Sequence, residues 1–190
     1  MSSPNTKKNP STDPNDLYST PKIALEAFYE QFPEVFDAYD TYYDPCNGLG
    51  DIAIFLRDLG KRVYTSDLVD YGLGDNTKDF LTVNKLHKSI DCVIFNPPFT
   101  LTEEFVDKAL TLCDNVLMFN RMTTIESNAR ANKLKCKAWP LESMWQFGFR
   151  VSCTKGVDRE PTANSVAYSW FHFDVKNYTD KTKLDWITKE

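Results

Sequence analysis

The sequence predicts an α/β fold, in which helices cover both faces of a mostly parallel sheet and an antiparallel hairpin follows near the C-terminus. Two observations predict it. Between residues 20 and 119, short apolar runs alternate with segments of helical periodicity, and such runs suit strands buried on both faces. After residue 146 the pattern changes to two β-rich aromatic runs that are separated by a polar loop.

The first predicted helix starts after Thr20 and Pro21, which suit a helix N-cap and a first helical position. Apolar residues recur on one face, and Pro33 ends it. A short strand then leads into a loop, Asp44 to Gly50, and into a second helix that stops at Gly60.

The remaining elements follow from short apolar runs in the same way. A helix with apolar residues on one face separates the last two strands of the parallel set. The predicted strands are Arg62–Ser66, Ile90–Phe95 and Val116–Phe119, and the hairpin strands are Phe147–Cys153 and Ser165–Phe173.

The length of 190 residues predicts one domain. Residues 1–16 are rich in Ser, Pro, Asn and Asp, which predicts a disordered leader before a domain at residues 17–176. Residues 177–190 are expected to form a charged C-terminal tail, although Leu184, Trp186 and Ile187 could dock on the domain.

Composition excludes several classes of function. A formal charge of -5 is no global signature of nucleic-acid binding, so any such binding requires a local basic patch. Five cysteines without a CxxC pair indicate neither a zinc site nor a disulfide framework, and we expect no metal. The odd cysteine count and the absence of a signal peptide predict the cytoplasm. No apolar run approaches a transmembrane helix, so no membrane contact is expected.

Asn96-Pro97-Pro98-Phe99 is the most informative segment, because it follows a predicted buried strand. Open α/β sheets bind ligands at the carboxyl ends of their strands. The two prolines fix the backbone and remove two N–H donors, so the local carbonyls are held as acceptors. Such a segment suits a flat, amino-bearing group, and a simple proline turn is the alternative.

The loop Asp44 to Gly50 is a second candidate binding segment. Gly48 and Gly50 let a ligand approach the backbone near the N–H groups of the helix start. Asp44 would repel a pyrophosphate but suits a cationic ligand, and the loop lacks the lysine of a phosphate loop. Asp67 follows the next strand, where an acid accepts hydrogen bonds from ribose hydroxyls. A tight turn without a ligand is the alternative for the loop.

Together these segments resemble the S-adenosylmethionine-dependent amino-methyltransferases, most closely the phage-type DNA N6-adenine methyltransferases. The resemblance extends from Leu17 to Asp174 and implies a Rossmann-like methyltransferase fold. Asp44 to Gly50 is similar to motif I, which binds the methionine part of the cofactor, and Asn96 to Phe99 resembles motif IV, the catalytic loop. Asp67 resembles the ribose-binding acid of motif II.

Two weaker motifs complete the resemblance. Asp79-Phe80 is similar to motif III near the cofactor adenine, and Tyr18 to Pro21 resembles motif X. The resemblance thus implies S-adenosylmethionine as the cofactor. The implied cofactor-binding residues are Tyr18, Thr20, Pro21, Asp44, Pro45, Asn47, Gly48, Gly50, Asp67, Asp79 and Phe80, and the implied catalytic residues are Asn96, Pro97, Pro98 and Phe99.

The chemistry of amine methylation suits the catalytic loop. An exocyclic adenine amine is a poor nucleophile because its lone pair is delocalised into the ring. The side-chain oxygen of Asn96 and the carbonyl of Pro97 would accept its two N–H groups, while Phe99 stacks on the base. Because this scheme requires no strong base, His87 and His172 are not assigned to catalysis.

The resemblance implies DNA as the partner, with RNA less favoured, and a duplex target would have to leave the base stack. The basic residues Arg121, Arg130, Lys133 and Lys135 are predicted to contact phosphates, and a solvated helix face is an equal alternative. The chain has little room for a recognition domain, so it would read a short site, act as a homodimer or methylate with little sequence preference. A phage-encoded enzyme would work in the cytoplasm of the host.

Three other functions stay open at this point. An aromatic residue after Asn-Pro-Pro also occurs in enzymes that methylate RNA adenine or a protein glutamine amide. A third alternative is a cofactor-binding protein that has lost catalysis, against which the intact motifs argue.

Overall fold

The computed structural model describes residues 16–86, 89–162 and 166–189. The predicted leader, except Asp16, and His87 lie outside these residues. The described helices are α1 (Lys22–Gln31), α2 (Pro33–Asp37), α3 (Asp51–Asp58), α4 (Thr102–Leu112) and α5 (Asn128–Lys135). The described strands are β1 (Tyr18–Ser19), β2 (Thr41–Asp44), β3 (Arg62–Asp67), β4 (Asn76–Thr77), β5 (Cys92–Phe95), β6 (Asn115–Arg121), β7 (Leu141–Phe147), β8 (Thr154–Lys155), β9 (Glu160–Pro161), β10 (Tyr168–Asp174) and β11 (Lys183–Ile187).

The centre of the molecule is an eight-stranded sheet with the order β11-β7-β10-β6-β5-β2-β3-β4. Neighbouring strands are parallel, apart from β10, which is antiparallel to both β6 and β7. The chain moves from β2 to β3 on one side and then returns to place β5 on the other side of β2. The strand order therefore reverses between β2 and β5, and ligands of open α/β sheets bind outside the carboxyl ends of the strands at such a point.

The sheet separates two hydrophobic clusters, which explains why its central strands are apolar on both faces. All four residues of β5 are buried. One cluster contains apolar residues of α1, α2 and α3, and the ring of Phe28 lies 4.9 Å from Trp145 and 5.4 Å from Trp170, centroid to centroid. The other contains Phe105 and its neighbours on α4. This packing holds the strand ends in place.

The predicted antiparallel pair is present, but its first strand lies earlier in the chain than predicted. β7 ends at Phe147, whereas the prediction began there. The sequence pattern does not predict β7, because Glu142 and Gln146 interrupt its apolar run. Both have polar partners: Glu142 accepts from Ser143 and pairs with Lys183, and Gln146 accepts from Ser169 at 2.7 Å.

The predicted C-terminal tail contains a strand of the main sheet. β11 pairs in parallel with β7, so the folded unit continues past residue 176. Of the three residues expected to dock, Ile187 is fully buried, whereas Leu184 and Trp186 are each 52% exposed. No helix in the described ranges is long and apolar enough to cross a membrane.

Removing the buried contact of β11 should destabilise the whole domain. We expect Ile187→Ala to lower the free energy of unfolding by about 2 kcal/mol or more, because it leaves a cavity beside β7. Leu184→Ala is the matched control on the same strand and should change it by less than about 0.5 kcal/mol. Urea unfolding measures both, and equal effects would show that the strand does not anchor the core.

Candidate active site

A cavity lies at the point where the strand order reverses, beside the carboxyl ends of β2, β3 and β5. Its wall brings together segments that are far apart in the sequence. The predicted site residues in the wall are Tyr18, Thr20, Asp44, Pro45, Asn47, Gly48, Asp67, Asp79, Phe80, Asn96 and Pro98. Four others, Pro21, Gly50, Pro97 and Phe99, lie in the same segments but outside the residues that line the cavity.

The glycine loop after β2 is in direct contact with the acid after β3. Gly48 has a φ of +50°, and a Cβ there would lie 2.9 Å from the Leu17 Cδ1 atom, so the position requires glycine. The Gly48 N–H donates to Asp67 Oδ2 at 2.8 Å, and the Val69 N–H donates to Asp67 Oδ1 at 3.0 Å. Each carboxylate oxygen has two lone pairs, so Asp67 can still accept from a ligand.

Asp44 is a buried acid at the start of the loop, with only 1% of its surface exposed. It accepts a hydrogen bond from the Cys46 N–H at 3.1 Å. Burial, together with the nearby charge of Asp67, raises the pKa of Asp44 to about 8. The carboxyl is therefore mostly protonated at pH 7, and a bound cation would favour its ionised form.

The amide of Asn96 is held in one orientation at the cavity. Its Nδ2 donates to the carbonyl oxygen of Tyr18 at 2.9 Å, which leaves Oδ1 as the free end of the group. Oδ1 is buried and has no hydrogen-bond partner among the described residues. An unpaired buried acceptor costs about 1–3 kcal/mol, and a ligand N–H would offset that cost.

In the Asn96 to Phe99 segment, two backbone carbonyls have partners among the described residues, and the Pro97 carbonyl lies between them. The Asn96 carbonyl accepts from Cys46 Sγ at 3.4 Å, and the Pro98 carbonyl accepts from the Leu101 N–H at 2.9 Å. Pro97 lies between them, and its carbonyl is the predicted second acceptor of the amine.

Phe99 ends the loop and packs between two side chains. Its ring centroid lies 4.8 Å from that of Tyr18, with an angle of 43° between the rings. The guanidinium carbon of Arg121 lies 3.7 Å from the Phe99 centroid. Tyr18 therefore contacts the Asn96 to Phe99 segment through both its carbonyl and its ring, and its own strand pairs with β8.

The pair Asp79-Phe80 has a larger structural role than the resemblance implies. Asp79 accepts from the Leu81 N–H at 2.9 Å and so begins a short 3-10 turn. Phe80 is buried and packs 5.1 Å from Phe105, centroid to centroid. Both still line the cavity, so their predicted place near a cofactor adenine stays a prediction.

The predicted basic contacts differ in how far their charges are balanced. Lys133 binds Glu103 at 2.8 Å and also Asp107, so two carboxylates neutralise it. Lys135 is exposed on α5. Arg121 and Arg130 line a second cavity, together with Phe99, on the outer side of the catalytic loop.

Several residues that line the cavity were not predicted from the sequence. Leu17 precedes Tyr18 and covers Gly48, so its place beside the motif X segment was the available signal. Tyr71 is an aromatic residue in a polar loop after β3. Asp51 also lines the cavity and binds Arg159 at 2.8 Å across 108 residues, which no local pattern indicates. His172 lies outside the cavity, with its Nε2 atom 3.1 Å from the Tyr39 hydroxyl.

Comparison with known proteins identifies the fold. No family model and no curated protein sequence matches the chain. Among solved structures, a Pyrococcus horikoshii protein described provisionally as an RNA methyltransferase superposes with a TM-score of 0.62 at 15% identity, covering 86% of this chain and 90% of that one. The 23S rRNA methyltransferase ErmE gives 0.51 at 13% identity, covering 80% and 70%. A Thermoplasma acidophilum protein gives 0.53 at 18% identity, covering 82% and 88%.

This chain has a Rossmann-like methyltransferase fold. The predicted fold class is therefore confirmed. At identities this low the likeness establishes the fold alone, and the function has to be inferred from the site residues.

Burial of the Asp44 carboxyl predicts that a neutral side chain at this position stabilises the free protein at high pH. Because the folded pKa of Asp44 is raised, its contribution to stability is present below about pH 4 and is lost as the pH rises through about 8. We expect Asp44→Asn to raise the free energy of unfolding at pH 8.5 by about 1 kcal/mol, which raises the melting temperature by a few degrees. The gain at pH 5 should be much smaller.

Thermal melting at the two pH values measures this difference. Asp58→Asn is the matched control, because Asp58 is exposed on α3 and does not line the cavity. An Asp44→Asn variant that is less stable than the wild type at pH 8.5 would contradict the prediction.

Proposed function

We propose that this protein is an S-adenosylmethionine-dependent methyltransferase that acts on the exocyclic N6 amine of adenine in DNA. The observation that carries the proposal is the buried Oδ1 of Asn96 at the cavity, which has no hydrogen-bond partner among the described residues. The Tyr18 carbonyl binds the Nδ2 end of the amide and so fixes Oδ1 as an acceptor. The group that suits it is a neutral amine with N–H hydrogens to donate.

The residues of the cavity fit the cofactor. Asp44 offers a buried carboxyl for the cationic amino group of the methionine part, and Gly48 allows close approach to the backbone. Asp67 has the position of a ribose acceptor at the end of β3. Asp79 and Phe80 lie where an acceptor and an aromatic edge could contact the adenine ring. When bound, S-adenosylmethionine supplies an electrophilic methyl group.

The chain contributes positioning rather than a base. Asn96 Oδ1 and the Pro97 carbonyl hold the two N–H groups of the amine, which favours a pyramidal nitrogen with an available lone pair. Phe99 orients the base. The amine lone pair would bond to the methyl carbon as the carbon–sulfur bond breaks, and the surplus proton would then pass from the nitrogen to water without a catalytic base. No histidine is needed beside the amine, in agreement with the position of His172 outside the cavity.

RNA is the second candidate substrate. The motif resemblance favours DNA, whereas two solved structures with the same fold are described as acting on RNA, one of them provisionally. The catalytic loop suits an adenine amine from either polymer. The buried acceptor therefore supports the reaction class more directly than it supports the choice of nucleic acid.

Loss of the Asn96 amide should separate chemistry from binding. We expect Asn96→Ala to lower kcat for methyl transfer by about 100-fold or more, since it removes an acceptor that positions the nucleophile. Cofactor affinity, measured by calorimetry, should stay within about threefold. Asn132→Ala is the matched control, because Asn132 is exposed on α5 and lines neither cavity. Full activity of Asn96→Ala would refute the mechanism.

The acceptor polymer can be identified with a labelled methyl group. Wild-type protein incubated with tritiated cofactor and pools of DNA, RNA or protein should label DNA, with the label recovered as N6-methyladenine after digestion to nucleosides. Preferential labelling of RNA adenine would favour the second candidate. Label in protein glutamine, or cofactor binding without transfer to any pool, would contradict adenine methylation.

A further inference from the structure

A second cavity lies beside the catalytic loop, on the outer side of Phe99. We call it the arginine groove, and its polar wall is formed chiefly by Arg121, Arg130, Thr123 and Ser127. Phe99 belongs to its wall and follows Asn96 by three residues. The groove and the cofactor cavity therefore flank the same short loop.

Arg121 has N–H groups to spare in this groove. Its guanidinium carbon lies 3.7 Å from the Phe99 centroid, and a guanidinium stacked on a ring keeps its N–H edge available. One hydrogen bond joins it to the Tyr168 side chain. Its Nε is buried without a partner among the described residues. An arginine has five N–H donors, and the hydrogen bond to Tyr168 accounts for one of them.

Arg130 is arranged in a similar way. Its Nη1 donates to the Thr124 carbonyl at 3.0 Å, which fixes the side chain. Its Nε is 3.8 Å from Glu103 Oε2, beyond hydrogen-bond distance, and is buried without a partner in the described part of the chain. Ser127 caps α5 by accepting from the Arg130 N–H at 3.2 Å, and this holds the helix start at the groove.

The charge of the groove is positive. Glu126 is the one carboxylate among the described residues that line the groove. Glu103 lies beside the groove and is shared between Lys133 and Arg130, and Asp107 also binds Lys133. Two arginines therefore face one lining acid and share a second acid with a lysine. Two guanidinium groups with unpaired donors and neighbouring hydroxyls are a typical arrangement for binding the oxygens of a phosphate.

We infer that the arginine groove binds a backbone phosphate of the nucleic-acid strand that carries the target adenine. The inference rests on the proposed function, since it requires a base at Asn96 and Phe99. Phe99, on which the base would stack, belongs to the groove wall, so the groove would lie next to the sugar and phosphates of that nucleotide. A base that stacks on the covered face of Phe99 would move the Arg121 guanidinium from the ring towards that phosphate.

The test measures how binding of an oligonucleotide depends on salt. Anisotropy of a labelled single-stranded DNA that contains one adenine gives the slope of log Kd against log salt concentration. We expect Arg121→Gln and Arg130→Gln each to weaken binding several-fold at 0.1 M salt and to lower the slope by about 0.7, the loss of one phosphate contact. Arg121→Lys should restore the slope, because it restores the charge.

Lys183→Gln is the charge-matched control. Lys183 pairs with Glu142 at the start of β11, away from the carboxyl ends of the strands, so its loss should leave the slope unchanged. Unchanged slopes in both arginine variants would overturn the inference, as would an equal loss in the Lys183 variant or no binding by the wild type. Thermal melting confirms that each variant is folded.

The same measurement in an Asn96→Ala background separates the two proposals. Binding of this variant needs no methyl transfer. The salt slopes of the arginine variants therefore test phosphate binding by the groove even if adenine methylation is not observed. If the wild type methylates adenine but the arginine variants keep the full slope, the inference of phosphate binding is wrong and the proposed function is unaffected.

Discussion

The reversal of strand order between β2 and β5 is the constraint on which the site depends. Because the chain builds the sheet outward in both directions from β2, the helices after β2 and β5 cover opposite faces, and the strand ends between them stay open. The glycine loop and the catalytic loop are about 50 residues apart in sequence, yet the Cys46 thiol donates to the Asn96 carbonyl. The strand order therefore brings together two loops that are distant in sequence.

The site keeps polar groups in states that a structural role does not explain. The Asn96 Oδ1 atom is buried without a hydrogen-bond partner among the described residues, and the Asp44 carboxyl is buried near the charge of Asp67. Each arrangement lowers the stability of the free protein. The packing of the large aromatic cluster around α1 stabilises the fold and offsets this cost. Such costs are typical of sites that are complete only with a ligand.

The sequence predicted the parts of this structure that depend on local pattern. Buried strands, helical faces and the glycine loop follow from apolar periodicity and turn chemistry. The motif resemblance predicted that Asp44, Asp67 and Asn96 belong to one site, and all three line the same cavity. Contacts that depend on distant segments had no local signal. The Asp51–Arg159 pair and the Tyr18 carbonyl on Asn96 belong to this class, and β7 was obscured because its polar residues find partners on neighbouring strands.

The short segment before the first helix has a practical consequence for producing the protein. Asp16 and Leu17 line the cavity, and the Tyr18 carbonyl holds the Asn96 amide. A chain shortened to the first helix would contain every strand of the main sheet, yet it would lack one wall of the site.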